Sequence, residues 1–307
     1  MEKQNLTIRQ GWPASLTQMS DFLNRNWEYD TINPTLLEEK LSGDPTADPS
    51  LCFTAYNKEE IVGFLFCVQR NIRGVHYGYV KLFAVDKAWR RQKVGTSLYE
   101  QAEAILQKKG STHLRWYDVP LNYFMPGLDP RYTEAFCFAQ KHGFQQFGES
   151  VNMLVDLRSR NWNTLLEEEA LLEKGVEIRR AGPKDKADLI ELLSKEWILW
   201  NNEVNMALRD DPSSVHVAFL HKKMVAFSVH NGNNKGTGWF GPMGTAPETR
   251  GLGLGGVLLK RCLEDMRLQG HTHAIIPWVA PIAFYAHYAG AKINRVFWRM
   301  EKQLKSK

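Results

Sequence analysis

The chain has 307 residues, of which 43% are hydrophobic and 24% charged; this is ordinary for a globular protein, and the length favours two domains. No run approaches the ~20 apolar residues that cross a bilayer and no apolar signal core follows the N-terminus, so we expect a cytoplasmic protein without a membrane partner. The net charge of +5 lies mainly after residue 175, which suits an anionic ligand, but no basic run with interleaved aromatics indicates nucleic acid.

The first half of the chain combines strand patterns with one amphipathic helix. Two strands joined by a tight turn precede a third strand, the helix and a fourth strand. The strands are predicted at 51–55, 61–68, 77–85 and 113–117. The apolar stripe of the helix consists of Val94, Leu98, Ala102 and Ile105. Gly110 ends this helix, and a long connection at 118–133 is expected to line a substrate pocket or to bury a domain interface.

The second half repeats this order of elements. Its strands are predicted at 215–220, 224–229, 239–245 and 273–279. Its helix has an apolar face made of Leu259, Cys262, Leu263 and Met266. A short helix and a last strand are expected to close each half. Between the halves, the charged segment at 159–175 is predicted to form a helical connector. Gly175 ends it.

An internal repeat supports a duplicated domain. Arg90–Gly95 aligns with Arg250–Gly255 at an offset of 160 residues, and the offset persists to Thr112-His113 and Thr272-His273. Because this offset spans a whole domain, the repeat indicates duplication and not a solenoid. We predict an N-terminal domain at 1–158, the connector at 159–175 and a C-terminal domain at 176–307.

A glycine-rich loop follows the third strand of the second half. It consists of Arg250, Gly251, Leu252, Gly253, Leu254, Gly255 and Gly256. Glycines allow backbone N–H groups to approach a ligand closely, and the start of the following helix adds a positive dipole end. The loop therefore predicts an anion-binding site suited to a pyrophosphate, to which Arg250 adds a charge.

Three cofactor motifs compete for this loop. The spacing of Gly251, Gly253 and Gly256 spells GxGxxG, but the dinucleotide fold needs an acidic residue about 20 positions later, and the strand at 273–279 has none. A P-loop is excluded because no Gly-Lys-Ser/Thr follows. The remaining motif, Arg-x-x-Gly-x-Gly after a strand and before an amphipathic helix, resembles the acyl-CoA loop of the GNAT N-acetyltransferase superfamily.

A second motif extends the resemblance. Ala283-Phe284-Tyr285 followed by Gly290 is similar to the Ala-x-x-Phe-Tyr helix and glycine turn of that family, although Pro281 replaces a small or polar residue and the Tyr-to-Gly spacing is one residue longer. The resemblance covers nearly the whole chain. It implies an α/β fold of two tandem GNAT-like domains, each a mostly antiparallel mixed sheet flanked by helices.

The resemblance also implies a cosubstrate and a reaction. Acetyl-CoA would donate an acetyl group directly to a primary amine of a small molecule or peptide, with no metal. The backbone amides of the loop would hold the pyrophosphate, and the strand before it would pair with the pantetheine arm. The residues implied to bind acetyl-CoA are Met243, Gly244, Thr245, Arg250, Gly251, Leu252, Gly253, Leu254, Gly255 and Gly256. Tyr285 stands at the position of the acid that protonates the departing thiolate, with Tyr288 as its neighbour.

The general base cannot be read from the sequence. The strand at 238–245 carries no carboxylate that could act as the base. Four candidates for the base therefore remain: Glu203, His230, Glu248 and a water relay.

The N-terminal copy departs from the pattern at two positions. Lys93 stands where the C-terminal copy has Gly253, and Ala139 stands where it has Tyr285. We therefore predict a degenerate N-terminal copy, in which the lysine either blocks the backbone or contacts a phosphate as a point charge.

A second class of function remains open from the sequence. A GNAT-like fold does not guarantee activity, so a non-catalytic acyl-CoA-binding or regulatory module is the alternative to an enzyme. An amino sugar, an aminoglycoside, a polyamine and a peptide amine all remain candidate acceptors.

Overall fold

A computed structural model describes residues 6–304, which form two compact units. The first unit comprises residues 6–149 and 297–304, and the second comprises residues 150–296. These units differ from the sequence segments 1–158, 159–175 and 176–307, because residues 150–175 belong to the second unit and residues 297–304 belong to the first.

The first unit contains five strands and four helices of its own. They are β1 (Leu6–Gln10), α1 (Leu16–Asn26), α2 (Pro34–Lys40), β2 (Cys52–Asn57), β3 (Glu60–Ile72), β4 (Val75–Val85), α3 (Val94–Lys108), β5 (His113–Trp116) and α4 (Thr133–Lys141). The next strand, β6 (Gln145–Asp156), begins in the first unit and ends in the second. The sheet has the order β1-β2-β3-β4-β5, and its only parallel pair among these strands is β4 with β5.

The second unit repeats this plan. Its elements are α5 (Leu165–Leu172), β7 (Val176–Arg180), α6 (Lys186–Glu196), α7 (Asn201–Leu208), β8 (Val215–Leu220), β9 (Lys223–His230), β10 (Phe240–Thr245), α8 (Leu254–Leu268), β11 (His273–Ile276) and α9 (Ile282–Ala289). The last strand, β12 (Lys292–Gln303), begins in this unit and ends in the first. The order β7-β8-β9-β10 is antiparallel, and a parallel bridge from Trp239 to Ile275 leads on to β11. Each unit is therefore a mixed, mostly antiparallel sheet with helices, as the sequence predicts.

The last strands of the two halves are exchanged. The end of β12 pairs with β5, with Met300 opposite Trp116, and the end of β6 pairs with β11, with Met153 opposite Ile276. The expectation that each half is closed by its own last strand is therefore wrong. The duplicated copies offer equivalent edges at β5 and β11, and a period-two pattern fits either edge equally well.

The main helix of each unit buries the face that its periodicity predicts, with one difference. The whole stripe of α8 is buried, whereas in α3 Ile105 is only half-buried and Leu106 takes its place in the core. Gly78 explains the difference, because a Cβ there would collide with Leu106 and Leu114. The helix-ending glycines adopt left-handed φ angles, 86° at Gly110 and 91° at Gly270.

The four cysteines differ in burial. Cys52, Cys67 and Cys262 are buried, whereas Cys137 on α4 is exposed, and none of the four forms a disulfide.

Among residues 6–304, each helix is too short or too polar to span a membrane.

Buried charges anchor the start of the long connection after β5. Asp44 accepts hydrogen bonds from Arg70 and Lys81, Lys81 also donates to the Asn122 side chain, and Arg70 donates to the Pro120 carbonyl at 3.0 Å. Burial lowers the pKa of Lys81 to about 7, against the opposing effect of Asp44. The connection is therefore tied to the sheet by a buried charged network.

Candidate functional site

Beyond the bridge from Trp239 to Ile275, one edge of the strand that precedes the glycine loop pairs with no other strand among residues 6–304. Met243, Gly244 and Thr245 of β10 pair with β9, and the register shifts between Phe240 and Met243. On the other side, β10 is the outermost strand of its four-stranded sheet. An unpaired edge of this kind can accept an extended ligand arm as an additional strand. The interruption at Pro242 coincides with the register shift, as expected for a residue that cannot donate a ladder hydrogen bond.

The glycine loop adopts a conformation that glycine favours. Gly251 and Gly253 have φ angles of 90° and 84°, and Gly253 directly precedes the 15-residue helix α8. A Cβ on either glycine would meet nothing within 4 Å, so the space in front of the loop is open. The first amides of a helix lack intrahelical partners, which leaves donors available to an anion at this point. Arg250 lies beside them, with its Nε 3.4 Å from the Thr245 carbonyl oxygen.

The other two glycines of the loop serve close packing. A Cβ on Gly255 would lie 3.2 Å from the Phe284 ring and 3.4 Å from Met243. A Cβ on Gly256 would collide with the ring of Tyr288. These contacts hold α9 against the start of α8, so the loop and the helix that carries Tyr285 are positioned together.

We expect Gly256→Ala to lower the free energy of unfolding of the second unit by about 1–3 kcal/mol, because the added methyl must displace Tyr288 and α9. Urea unfolding measures this loss. Gly182→Ala is the matched control in the same unit, because a Cβ there meets nothing within 4 Å. Equal stability of the two variants would contradict the tight contact between α8 and α9.

Tyr285 lies inside the second unit at the β10 side of α9. Its side chain is 8% exposed, and its ring meets Phe240 edge-on at 6.1 Å and Phe284 at 5.1 Å. Burial raises the pKa of Tyr285, so its hydroxyl stays protonated at neutral pH. The raised pKa makes Tyr285 a weaker acid than an exposed tyrosine, so the position of its hydroxyl beside β10, and not its pKa, supports a role as the acid.

An aromatic pair lies over the same strand. The rings of Trp197 and Trp200 stack at 6.1 Å and 5°, and both pack against Phe227. Gly244 makes room for Trp197, because a Cβ there would lie 2.9 Å from the indole. This pair was not predicted, and the Trp-x-x-Trp spacing is its only signal in the sequence.

The candidate bases differ in their surroundings. His230 is 0% exposed and donates a hydrogen bond to Asp265 at 3.2 Å, so it belongs to a buried structural cluster. Glu248 is exposed on a turn and lies 3.7 Å from Lys223. Glu203 is a buried carboxyl group on α7, and its role as the base stays a prediction.

The buried cluster around Asp265 was not predicted. Asp265 on α8 accepts hydrogen bonds from His216 at 2.7 Å and His230, and a bidentate pair of 2.7 Å bonds from Arg180. Burial would raise the pKa of Asp265, but these donors hold it well below its usual range. Burial lowers the pKa of His216, so the imidazole is neutral at pH 7.

The first unit keeps the loop conformation without its glycines. Arg91 and Lys93 have φ angles of 64° and 66°, close to those of Gly251 and Gly253. The helices α4 and α9 also correspond: a Cβ on Gly95 would lie 3.4 Å from the Phe138 ring, which precedes Ala139, and a Cβ on Gly255 would lie 3.2 Å from the Phe284 ring, which precedes Tyr285. Ala139 therefore occupies the place of Tyr285 in the first unit.

The first unit contains a cavity beside this loop, which we call the N-terminal cavity. Its volume is about 620 Å³, and it lies where β4 and β5 diverge. Its lining includes Trp27, Phe83, Tyr117, Met125 and Phe138 on the apolar side, and Arg90, Arg91, Lys93, Glu134 and Lys141 on the polar side. Neither unit, within residues 6–304, contains three His, Cys, Asp or Glu side chains grouped to hold a metal.

The model of the acetyltransferase (GNAT) family matches residues 16–123 and 178–290, once in each half. N-alpha-acetyltransferase 30 of Dictyostelium discoideum is 36% identical over 50 residues, which cover 16% of this chain and 27% of that protein. The chain thus spans only about a quarter of that relative.

Two solved structures share the fold over nearly the whole chain. One contains a GCN5-related glucosamine N-acetyltransferase region of a fungal multi-domain β-N-acetylglucosaminidase; it has a TM-score of 0.81 at 16% identity and covers 98% of this chain and 38% of that chain. The other is a tandem GNAT protein from the clavulanic acid biosynthesis pathway; it has a TM-score of 0.70 at 13% identity and covers 99% of this chain and 100% of that chain.

Proposed function

Because the chain belongs to the acetyltransferase (GNAT) family, we propose that it is an N-acetyltransferase whose second unit moves an acetyl group from acetyl-CoA to a primary amine. The observation that carries the proposal is the open, glycine-lined loop next to the outer edge of β10, with Tyr285 packed against Phe240 on the adjoining helix. The reaction is a direct transfer, without a metal.

The cosubstrate is held by the backbone of two adjacent segments. The amides of Leu252, Gly253, Leu254 and Gly255 donate to the pyrophosphate, and Arg250 adds a charge-assisted contact; the Gly256 amide already donates to the Gly253 carbonyl at 3.1 Å. Met243, Gly244 and Thr245 pair with the pantetheine arm along the outer edge of β10. This arrangement fits a long ligand that is anionic at one end and extended at the other.

The residues of the chain position the two substrates and transfer the protons. The amine attacks the thioester carbonyl, a C–N bond forms, and the C–S bond breaks as the tetrahedral intermediate collapses. An alkylammonium has a pKa near ~10.4, so a base must take its proton; Glu203 and a water relay remain the candidates. Tyr285 gives its proton to the departing thiolate, and solvent then returns the tyrosine to its protonated state.

The acceptor lies on the side of β10 that the tryptophan pair covers. Trp197 and Trp200 provide flat apolar faces near the strand, which suits an acceptor with a ring or an apolar stem as well as an amine. The glucosamine N-acetyltransferase region named above has the same fold, so an amino sugar is the first acceptor to try. An aminoglycoside, a polyamine and a peptide amine are the others.

The test is release of CoA by the full chain. Acetyl-CoA is mixed with amino sugars, aminoglycosides, polyamines and peptides, and the free thiol is measured over time. Amine-dependent release together with acetylated product supports the enzyme. Tight binding of acetyl-CoA without turnover on any amine would favour the non-catalytic acyl-CoA-binding module instead.

Gly253→Asp tests where the pyrophosphate lies. A carboxylate at this position should weaken binding of acetyl-CoA to the second unit by roughly tenfold or more, through charge repulsion and the loss of contacts worth about 1.5–3 kcal/mol each. Titration calorimetry gives the affinity. Gly236→Asp is the control, because it adds the same charge at a glycine with a left-handed φ of 78° in the same unit. An unchanged affinity in Gly253→Asp would place the pyrophosphate elsewhere.

A further inference from the structure

We propose that a pH-sensitive switch lies in the second unit, at the buried cluster of His216, His230 and Asp265: protonation of His216 at mildly acidic pH weakens the attachment of α8 to the sheet. The three residues belong to β8, β9 and α8, so their hydrogen bonds join the helix to two strands. Because α8 begins directly after Gly253, the switch also acts on the glycine loop. That last part of the inference rests on the proposed acetyl-CoA site.

The hydrogen bonds of the cluster fix the tautomer of both imidazoles. Nε2 of His216 lies 2.7 Å from Oδ2 of Asp265, and Nε2 of His230 lies 3.2 Å from the same oxygen. An ionised carboxylate only accepts hydrogen bonds, so each Nε2 carries a hydrogen and donates it. In a neutral imidazole the other ring nitrogen, Nδ1, then carries no hydrogen.

The Nδ1 atom of His216 has no acceptor for a second hydrogen. It is buried and forms no hydrogen bond within residues 6–304, and the same holds for Nδ1 of His230. The His216 side chain is 1% exposed, so bulk water does not replace the missing partner. Protonation of His216 would therefore bury an N–H donor without an acceptor, which costs free energy in the folded state and not in the unfolded one.

The charges near His216 do not favour an imidazolium either. Burial is the main cause that lowers the pKa of His216, and the positive charges of Arg180 and Arg261 lower it further. The carboxylate of Asp265 raises this pKa, but it already accepts two 2.7 Å hydrogen bonds from Arg180, which balance its charge. Arg261 is itself paired with Glu168 at 2.9 Å. His216 is therefore neutral at pH 7 and takes up a proton only as this part of the unit opens.

The other titratable groups beside the cluster supply no negative charge to an imidazolium. Cys262 of α8 donates to the Ser228 hydroxyl at 3.3 Å, and burial raises the pKa of its thiol, so the thiol stays neutral. His271 follows α8, and burial and the neighbouring His230 lower the pKa of its imidazole. An added proton at His216 is thus compensated only by opening of the cluster.

The direction of the pH effect follows from the pKa of His216. This pKa is lower in the folded chain than the ordinary value of about 6.5, so the unfolded chain binds the proton more readily at mildly acidic pH. Stability is therefore complete above pH 6.5 and decreases below it. For one histidine, linkage allows the unfolding equilibrium constant to rise by up to about tenfold between pH 7.5 and pH 5.5.

His216→Gln tests the switch, because its side-chain amide can donate to Asp265 as the Nε2–H group does, and it does not titrate. Urea unfolding of the full chain is measured at pH 7.5 and pH 5.5. On acidification the unfolding constant of the wild-type chain should rise up to about tenfold more than that of the variant. His221→Gln makes the same change at an exposed turn histidine of this unit and should behave like the wild type. Equal pH dependence in the wild type and His216→Gln would overturn the proposal.

Nitrogen NMR of the wild-type chain with labelled histidine tests the switch without a variant, and thus also if His216→Gln does not fold. The assigned His216 ring should be the Nε2–H tautomer and should remain neutral at pH 6, where an ordinary histidine is mostly protonated. An Nδ1–H tautomer, or a ring that titrates near pH 6.5 while the chain stays folded, would overturn the proposal.

Titration calorimetry with acetyl-CoA tests the link to the glycine loop. Between pH 7.5 and pH 5.5 the affinity should fall more in the wild-type chain than in His216→Gln. An equal fall in the two chains would overturn the link between the cluster and the loop. Absence of binding at both pH values would contradict the proposed acetyl-CoA site, whereas the unfolding and NMR measurements would still decide whether the switch exists.

Discussion

Tyr285→Phe is expected to lower kcat by ~10²–10⁴-fold while folding and the affinity for acetyl-CoA change little. The substitution keeps the ring that packs against Phe240 and Phe284 and removes only the hydroxyl. The loss should appear in kcat more than in KM, because the proton is needed mainly in the transition state. Steady-state kinetics with the best amine from the acceptor screen measures it.

Tyr288→Phe is the control for this prediction. It removes the same group one helical turn further on, from a ring that packs on Gly256. Near-normal turnover in Tyr285→Phe would withdraw the acid role and leave Tyr285 as a packing residue. If only Tyr288→Phe abolished turnover, the acid would lie one turn further along α9.

The local features of the candidate site could be predicted because they depend on short stretches of chain. Glycines at 251 and 253 predict a loop with left-handed backbone, and the i, i+3, i+4, i+7 spacing predicts the buried face of α8. Both appear in the structure. The corresponding loop of the first unit could not be predicted in this way. Arg91 and Lys93 adopt left-handed φ angles there, although neither residue type favours them.

Features that join distant segments could not be predicted. The period-two pattern of a strand shows which side chains share a face of the sheet, but it does not show which strand is the neighbour. The sequence therefore gave no indication that β6 and β12 are exchanged. The cluster around Asp265 combines residues from β7, β8, β9 and α8. Lone histidines and a helical aspartate are each ordinary in a sequence, and only the fold shows that they share hydrogen bonds.

Asp265→Ala is expected to lower the free energy of unfolding of the second unit by about 3 kcal/mol at pH 7. Removal of one partner of a buried ion pair costs about 3–5 kcal/mol, because the other charge is left uncompensated. Asp265 has only 13% of its side chain exposed, but 33% of the Arg180 side chain reaches solvent, which favours the lower end of the range. His216 and His230 would also lose their shared acceptor.

The matched control is Glu264→Ala, the neighbouring carboxylate on the same helix. Its partner, Arg267, is 42% exposed, and pairs of this kind contribute about 0.2–1 kcal/mol. Urea unfolding of the two variants and the wild-type chain at pH 7 gives the comparison. A loss in Asp265→Ala no larger than that in Glu264→Ala would show that the cluster adds little to stability.

The difference between wild type and Asp265→Ala should also depend on pH in one direction. The pKa of Asp265 is depressed in the folded state, so its contribution is complete above its unfolded pKa of about 3.9 and is lost as the pH falls below it. The stability gap should therefore narrow as the pH falls from 5 to 3, an interval that lies below the ordinary pKa of histidine. A gap that widened between pH 5 and pH 3 would mean that the carboxyl group is protonated in the folded protein, and that Arg180 and the two histidines do not stabilise its charge.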